Sequence, residues 1–136
     1  LRAVIDTNVL IYDTYEDSIH HRDASQLLDQ LEEWVIPLIV IYEYIWFLKG
    51  MGVSPSTALD KLEDYISSEK SRTYKEEERL IRKALGSLAE EGISLNRFND
   101  EVIVRIAGEE GILLATFDKR MGSRARKLGV EVVPTR

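Results

Sequence analysis

Two apolar runs in this sequence end alike. Ala3-Val4-Ile5 leads directly into Asp6-Thr7-Asn8, and Ile112-Leu113-Leu114-Ala115 leads into Thr116-Phe117-Asp118. Short aliphatic runs that stop at polar residues read as buried strands ending where a loop begins. In an open α/β sheet, ligands bind outside the carboxyl ends of the strands, so parallel strands would bring Asp6 and Asp118 to one edge. Thr116 and Asp118, two apart in an extended segment, could face the same side. Two more carboxylates stand out among the 24 acidic residues. Glu43 is the only charged residue between Val35 and Leu48, and burying a carboxylate without a partner carries a heavy desolvation penalty. A bound cation would compensate it; so would an ion pair with Lys49 or an arginine, or exposure on a helix. Asp100 follows Asn99 at an expected helix start, where N–H groups and the helix dipole favour a carboxylate, so capping by either residue is the plain alternative.

Carboxylates held side by side raise one another's pKa and stay ionised only beside a cation. The chain has no cysteine, and its two histidines, His20 and His21, have no third ligand at a metal-binding spacing; they read as residues at the start of a helix. An all-oxygen donor set selects Mg²⁺ or Mn²⁺ over zinc. Mg²⁺ keeps waters and leaves positions for phosphate oxygens, which suits hydrolysis of a phosphodiester. One metal polarises the phosphate and lowers the pKa of an attacking water, and a second, about 4 Å away, steadies the leaving oxygen. An aspartate-nucleophile phosphatase fits less well, because Asn8 stands where a second aspartate would act as acid and base.

The elements that must position these acids follow from periodicity. A helix is expected from about Asp23, with Ala24, Leu27, Leu28 and Leu31 on one face, after a surface loop at 13–17. A second strand is expected over Val35–Val40, turning helical near Tyr42 and ending at Gly50 and Gly52. Ser54-Pro55 starts the next helix, with Ala58, Leu59, Leu62 and Ile66 toward the core. A very short strand at 72–74 precedes a helix over 75–91, whose stripe is Leu80, Ile81, Ala84, Leu85 and Leu88. Another helix begins near Asn99, a basic one spans 119–128, and Val130–Val133 is the last strand. Strands separated by helices imply a parallel sheet covered on both faces, a three-layer α/β/α domain.

A chain of 136 residues matches one domain, residues 1–136. The longest apolar run, Val35–Leu48, is too short to cross a bilayer, and the first eleven residues lack a secretory cleavage pattern; a cytoplasmic protein is expected. A net charge of −6 opposes non-specific adhesion to nucleic acid and suits a basic protein partner. Against that balance, Lys119, Arg120, Arg124, Arg126 and Lys127 place five cations and no acid within residues 119–127. The segment reads either as a phosphate-tracking surface for RNA or as a solvated helix face.

At Val4-Ile-Asp-Thr-Asn-Val-Leu-Ile11, Glu43, Asn99-Asp100 and Leu114-Ala-Thr-Phe-Asp118 the sequence resembles the PIN-domain ribonucleases, particularly the VapC-like toxins of prokaryotic toxin–antitoxin pairs. The resemblance covers nearly the whole chain, although Glu101 stands where a small or apolar residue is expected. It implies a five-stranded parallel sheet in the order 3-2-1-4-5 with an acidic pocket at its carboxyl edge. It makes Asp6, Glu43, Asp100 and Asp118 the catalytic, metal-binding acids and Asn8 and Thr116 their polar helpers. It further implies a homodimer and a cognate antitoxin. The expected activity is that of a Mg²⁺- or Mn²⁺-dependent endoribonuclease acting as a toxin. A PIN nuclease of RNA processing or surveillance, or a non-cleaving module that binds RNA or protein, are the alternatives.

Overall fold

A computed structural model describes residues 1–135. Strand β1 (Arg2–Ile5) runs into helix α1 (Thr7–Thr14), followed by α2 (His21–Gln30), β2 (Glu33–Pro37), α3 (Leu38–Gly50) and α4 (Pro55–Ile66). Then come β3 (Ser71–Tyr74), α5 (Glu78–Glu91), a single 3₁₀ turn (Leu95–Arg97), α6 (Phe98–Glu110), β4 (Leu113–Ala115), α7 (Lys119–Lys127) and β5 (Val132–Val133). The strands form one sheet in the order β3-β2-β1-β4-β5, every neighbouring pair parallel. This is the expected order. The first strand in sequence is the central one, with Val4 level with Val35 on one side and Leu114 on the other.

Ala3, Val4 and Ile5 are successive and all fully buried. Side chains alternate across a strand, so both faces of the sheet must be covered. The helices that cover it bury the predicted stripe Ala24, Leu27, Leu28 and Leu31, and also Val102, Ile103, Ile106 and Ala107 on α6. Gly92 and Gly111 end α5 and α6 in the left-handed conformation that glycine adopts without strain. Among the described residues no helix is long and apolar enough to cross a membrane.

Several expectations are corrected. Strand β2 stops at Pro37 rather than Val40, because Pro37 caps a helix whose first two free N–H groups, on Leu38 and Ile39, donate to the Glu76 carboxylate at 2.9 and 2.8 Å. The long helix accordingly starts at Glu78 and not at 75, leaving Glu76 free to reach α3. Helix α1 extends to Thr14 into the expected loop, its end held by the Thr14 hydroxyl, which donates to the Leu10 carbonyl at 2.7 Å. Leu59, Ile81 and Leu85 are exposed, not core; on α4 the buried position is taken by Tyr65, whose hydroxyl donates to Asp13 Oδ2 at 2.8 Å. Helix α7 ends at Lys127, and the last strand is only Val132–Val133.

Glu101 and Arg124 explain each other. Glu101, the acid that departs from the family pattern, is buried on α6 and accepts two hydrogen bonds from Arg124 of α7, each 2.9 Å. The same guanidinium donates to both oxygens of Glu91 on α5, at 2.8 and 2.7 Å. Arg105 adds a third tie to Glu101 at 3.1 Å and reaches the Ser87 hydroxyl. Burial pushes the Glu101 carboxyl up, but Arg124 and Arg105 outweigh it and hold the group below its ordinary range. Three helices are locked through one arginine. Removing one partner of a buried pair leaves an uncompensated charge. Arg124→Met should therefore cost about 3–5 kcal/mol of stability in urea unfolding, and Arg124→Met combined with Glu101→Leu distinctly less; a single variant that unfolds like the wild type refutes the assignment.

Candidate functional site

Asp6 sits where β1 gives way to α1, and its backbone N–H donates to the Ala115 carbonyl at 2.9 Å, tying it to β4. Its Oδ1 caps α1 by accepting the Thr7 N–H at 2.8 Å, and its Oδ2 accepts the Thr116 hydroxyl at 2.7 Å. Thr116 Oγ1 also accepts the Asp118 N–H at 3.0 Å and the Asn8 side-chain amide at 3.4 Å, while Asn8 Oδ1 accepts the Phe117 N–H at 3.3 Å. Asn8 and Thr116 thus stitch the two strand ends together. Asp118 caps α7, its Oδ1 accepting the Met121 N–H at 3.0 Å. Both strand-end acids are helix caps. Capping commits only one oxygen of each.

Glu43 lies on α3, half-buried, and accepts hydrogen bonds from the Thr7 hydroxyl and from the Asn99 amide, the latter at 3.0 Å. Lys49 does not pair with it; its ammonium lies 3.9 Å over the Trp46 ring instead. Asp100 stands in the first turn of α6, whose N-cap is Arg97 and which no side chain caps. The capping explanation therefore does not apply to Asp100. All four carboxylates, from four separate elements, line one open cleft of about 610 Å³ together with Thr7, Asn8, Asn99, Ile11, Tyr42 and Trp46. Thr116 lies beneath it, buried.

Charge crowding and burial shift two of the acids strongly. Burial pushes Asp6 up to about 7, with Asp100 and Glu43 adding to the rise and the hydrogen bonds from Thr116 and Thr7 opposing it. Asp100 is raised to about 6, again by burial first and then by Asp118 and Glu43, while Arg97 and Arg120 pull it down. Among the described residues no group of three or more Asp, Glu or His side chains is drawn together tightly enough to hold a metal ion as it stands. The acids line the cleft and repel one another rather than converging. Their chemistry nevertheless fits a hard divalent cation: every donor is oxygen, and a cation among them would supply the counter-charge that Asp6 and Asp100 lack.

Of the basic residues on α7, Lys119, Arg120, Arg126 and Lys127 are exposed. Lys119 and Arg126 line a pocket of about 250 Å³ that shares Asp118 with the acidic cleft and so lies beside it. Arg124 leaves this set: it is buried and engaged by Glu91 and Glu101. The spacing of the sequence points to no role for Thr7 and to no more than a capping role for Asn99, although both are partners of Glu43 and each adjoins a selected acid. It also passed over Tyr42 and Trp46, because an apolar run does not show which of its residues face out.

A profile of the PIN domain family matches residues 3–127. No curated protein matches the chain significantly. Among solved structures, the chain is similar in fold to VapC20 of Mycobacterium tuberculosis, described as a sarcin–ricin-loop-cleaving toxin, with a TM-score of 0.78 at 16% identity over 90% of this chain and 94% of that one. VapBC2 of Rickettsia felis, solved bound to a promoter DNA fragment, gives 0.68 at 16% identity over 97% of both chains. VapBC-1 of nontypeable Haemophilus influenzae gives 0.63 at 21% identity over 97% and 96%. The family match runs from β1 through α7 and so takes in every element that carries one of the four acids; the chain belongs to the PIN domain family.

Proposed function

We propose that this protein is a Mg²⁺- or Mn²⁺-dependent endoribonuclease and the toxin of a toxin–antitoxin pair, working in the cytoplasm as a homodimer that a basic antitoxin inhibits. One observation carries the nuclease reading: Asp6, Glu43, Asp100 and Asp118 line a single cleft at the carboxyl edge of the sheet, and two of them are raised far above the ordinary carboxylate range. The toxin reading is supported by fold similarity to proteins described as a toxin and as VapBC pairs; the net charge of −6 favours a basic partner.

Bound among these four carboxylates, a divalent cation would polarise a phosphate oxygen and lower the pKa of an attacking water. The chain's own residues prepare that chemistry. Thr116 and the Thr7 N–H fix both oxygens of Asp6, so its carboxylate is preoriented before any ligand arrives. Asn99 and Thr7 hold Glu43 across the cleft from it. The raised Asp6 and Asp100 take up or release protons near neutrality, and both would be held ionised beside a bound cation. Lys119, Arg120, Arg126 and Lys127, exposed beside the acids, are the proposed phosphate contacts along the RNA.

Asp6→Asn should lower Mn²⁺-dependent RNA cleavage on the order of a thousandfold, a loss of several kcal/mol in transition-state stabilisation, with an unchanged circular dichroism spectrum. Undiminished cleavage by that variant overturns the assignment.

Proton linkage gives an independent check. Asp6 and Asp100 have folded pKa values of about 7 and 6, above their ordinary value of 3.8. Folding without metal favours their protonated forms, so this contribution is complete below about pH 4 and is lost as pH rises through about 6 to 7. Between about pH 5 and about pH 8 the metal-free protein should lose thermal stability, and the rise in Tm on adding Mn²⁺ should be larger at the higher pH. A metal-free Tm that climbs across that window, or a Mn²⁺ effect independent of pH, contradicts the arrangement.

A further inference from the structure

We infer that His20 is a positioning residue of the nuclease site: its ring, with that of Tyr12, holds Phe117 and thereby fixes the strand end that carries Asp118. This role rests on the nuclease reading and adds to it a side chain from outside the cleft.

The two adjacent histidines have separate tasks. His21 Nδ1 donates to the Tyr12 carbonyl at 3.0 Å, and the Ser18 hydroxyl donates to the same oxygen at 3.0 Å. These bonds fold residues 15–20 back onto the end of α1 and deliver His20 beside it. His20 occupies the N-cap position of α2, yet its side chain makes no capping bond there. Its ring instead stacks on Phe117, with centroids 5.1 Å apart and planes 17° from parallel. Tyr12 closes the group, edge-on to Phe117 at 5.5 Å and tilted against His20 at 4.9 Å. Aromatic pairs prefer defined geometries and gain stability beyond the area they bury, so three mutually touching rings fix orientation as well as contact.

Phe117 is the middle residue of the segment that leaves β4. Side chains alternate along an extended backbone. Thr116 turns its hydroxyl to Asp6 at 2.7 Å and Asp118 lines the acidic cleft, while Phe117, 9% exposed, points to the rings. The Thr116 N–H still bonds the Val133 carbonyl of the sheet at 3.0 Å. Beyond it the backbone donors turn to side chains: the Phe117 N–H to Asn8 Oδ1 at 3.3 Å, and the Asp118 N–H to Thr116 Oγ1 at 3.0 Å. Where the sheet ladder gives out, the ring group takes over, because Phe117 cannot rotate away without unstacking from His20. Neither His20 nor Tyr12 is among the described residues lining the cleft. Their hold on Asp118 passes through the backbone of Phe117.

The test uses the full chain and begins without metal, where hydrogen exchange reads the segment directly. His20→Ala should speed exchange at the Phe117 and Asp118 amides roughly twofold to tenfold. The Asp6 amide, bonded to Ala115 across the β1–β4 seam, should be unchanged. His20→Phe, which keeps a flat ring on Phe117, should restore the protection. With Mn²⁺ added, His20→Ala should weaken Mn²⁺ binding and lower kcat for RNA cleavage by a similar factor, with KM for RNA unchanged, and His20→Phe should recover both. If His20→Ala does not fold, His20→Leu, which fills the space without a flat ring, takes its place. In a wild type that cleaves RNA, variants whose amide exchange and Mn²⁺ affinity stay at wild-type values, whatever their Tm, make His20 a packing residue only; the positioning role falls and the nuclease reading stands. A His20→Phe variant as impaired as His20→Ala also overturns the role, because the imidazole is then needed for itself. If the wild type cleaves no RNA, the nuclease reading fails, and amide exchange at Phe117 and Asp118 still decides whether His20 holds this strand end.

Discussion

The seam between β1 and β4 sets the terms for everything around it. Asp6 donates its backbone N–H across this seam to Ala115 and accepts the hydroxyl of the next residue, Thr116, at its own carboxylate. A buried carboxylate at the end of the central strand is tolerable only with every contact it can gather. Thr7, Thr116 and Asn8 are therefore not free to vary independently. Thr116 in turn holds the Asp118 backbone, so the position of one acid propagates through a single hydroxyl to the next.

Stability and reactivity are separated by location. The buried Glu101–Arg124 pair, with Glu91 and Arg105, satisfies its charges fully and holds α5, α6 and α7 together. One residue earlier on the same helix, Asp100 faces the cleft and is left among like charges. Adjacent carboxylates thus have opposite fates. Glu101 is pulled below its ordinary pKa by arginines, and Asp100 is pushed above its own by burial and by Asp118 and Glu43. A rotation of about 100° along the helix decides which one is structural.

Most of the sheet was legible in the sequence, because alternating apolar runs and glycine stops are local signals. Asp6 and Asp118 were legible for the same reason, each ending an apolar run at a strand's edge. Less could be read where a distant residue decides the outcome. The start of α3 at Leu38 depends on Glu76, whose carboxylate arrives from beyond β3. Arg124 could not be told from Arg126 by spacing, because its burial is imposed by Glu91 and Glu101 on two other helices. The outward aim of Tyr42 and Trp46 was likewise hidden inside an apolar run, since only the packed position of α3 shows which of its residues meet solvent.

The strand order has a consequence for when the cleft comes into being. β1 is made first, yet its neighbour β4 spans residues 113–115, and the Thr116–Asp6 hydrogen bond joins residues 110 positions apart. A chain still on the ribosome can pair β1 with β2, but it has an open flank until β4 emerges. Until then, Asp6 and Glu43 exist without Asp118 and without the hydroxyl that orients Asp6. The topology acts as a built-in delay, holding back assembly of the four-acid cleft until residues 113–118 have been made.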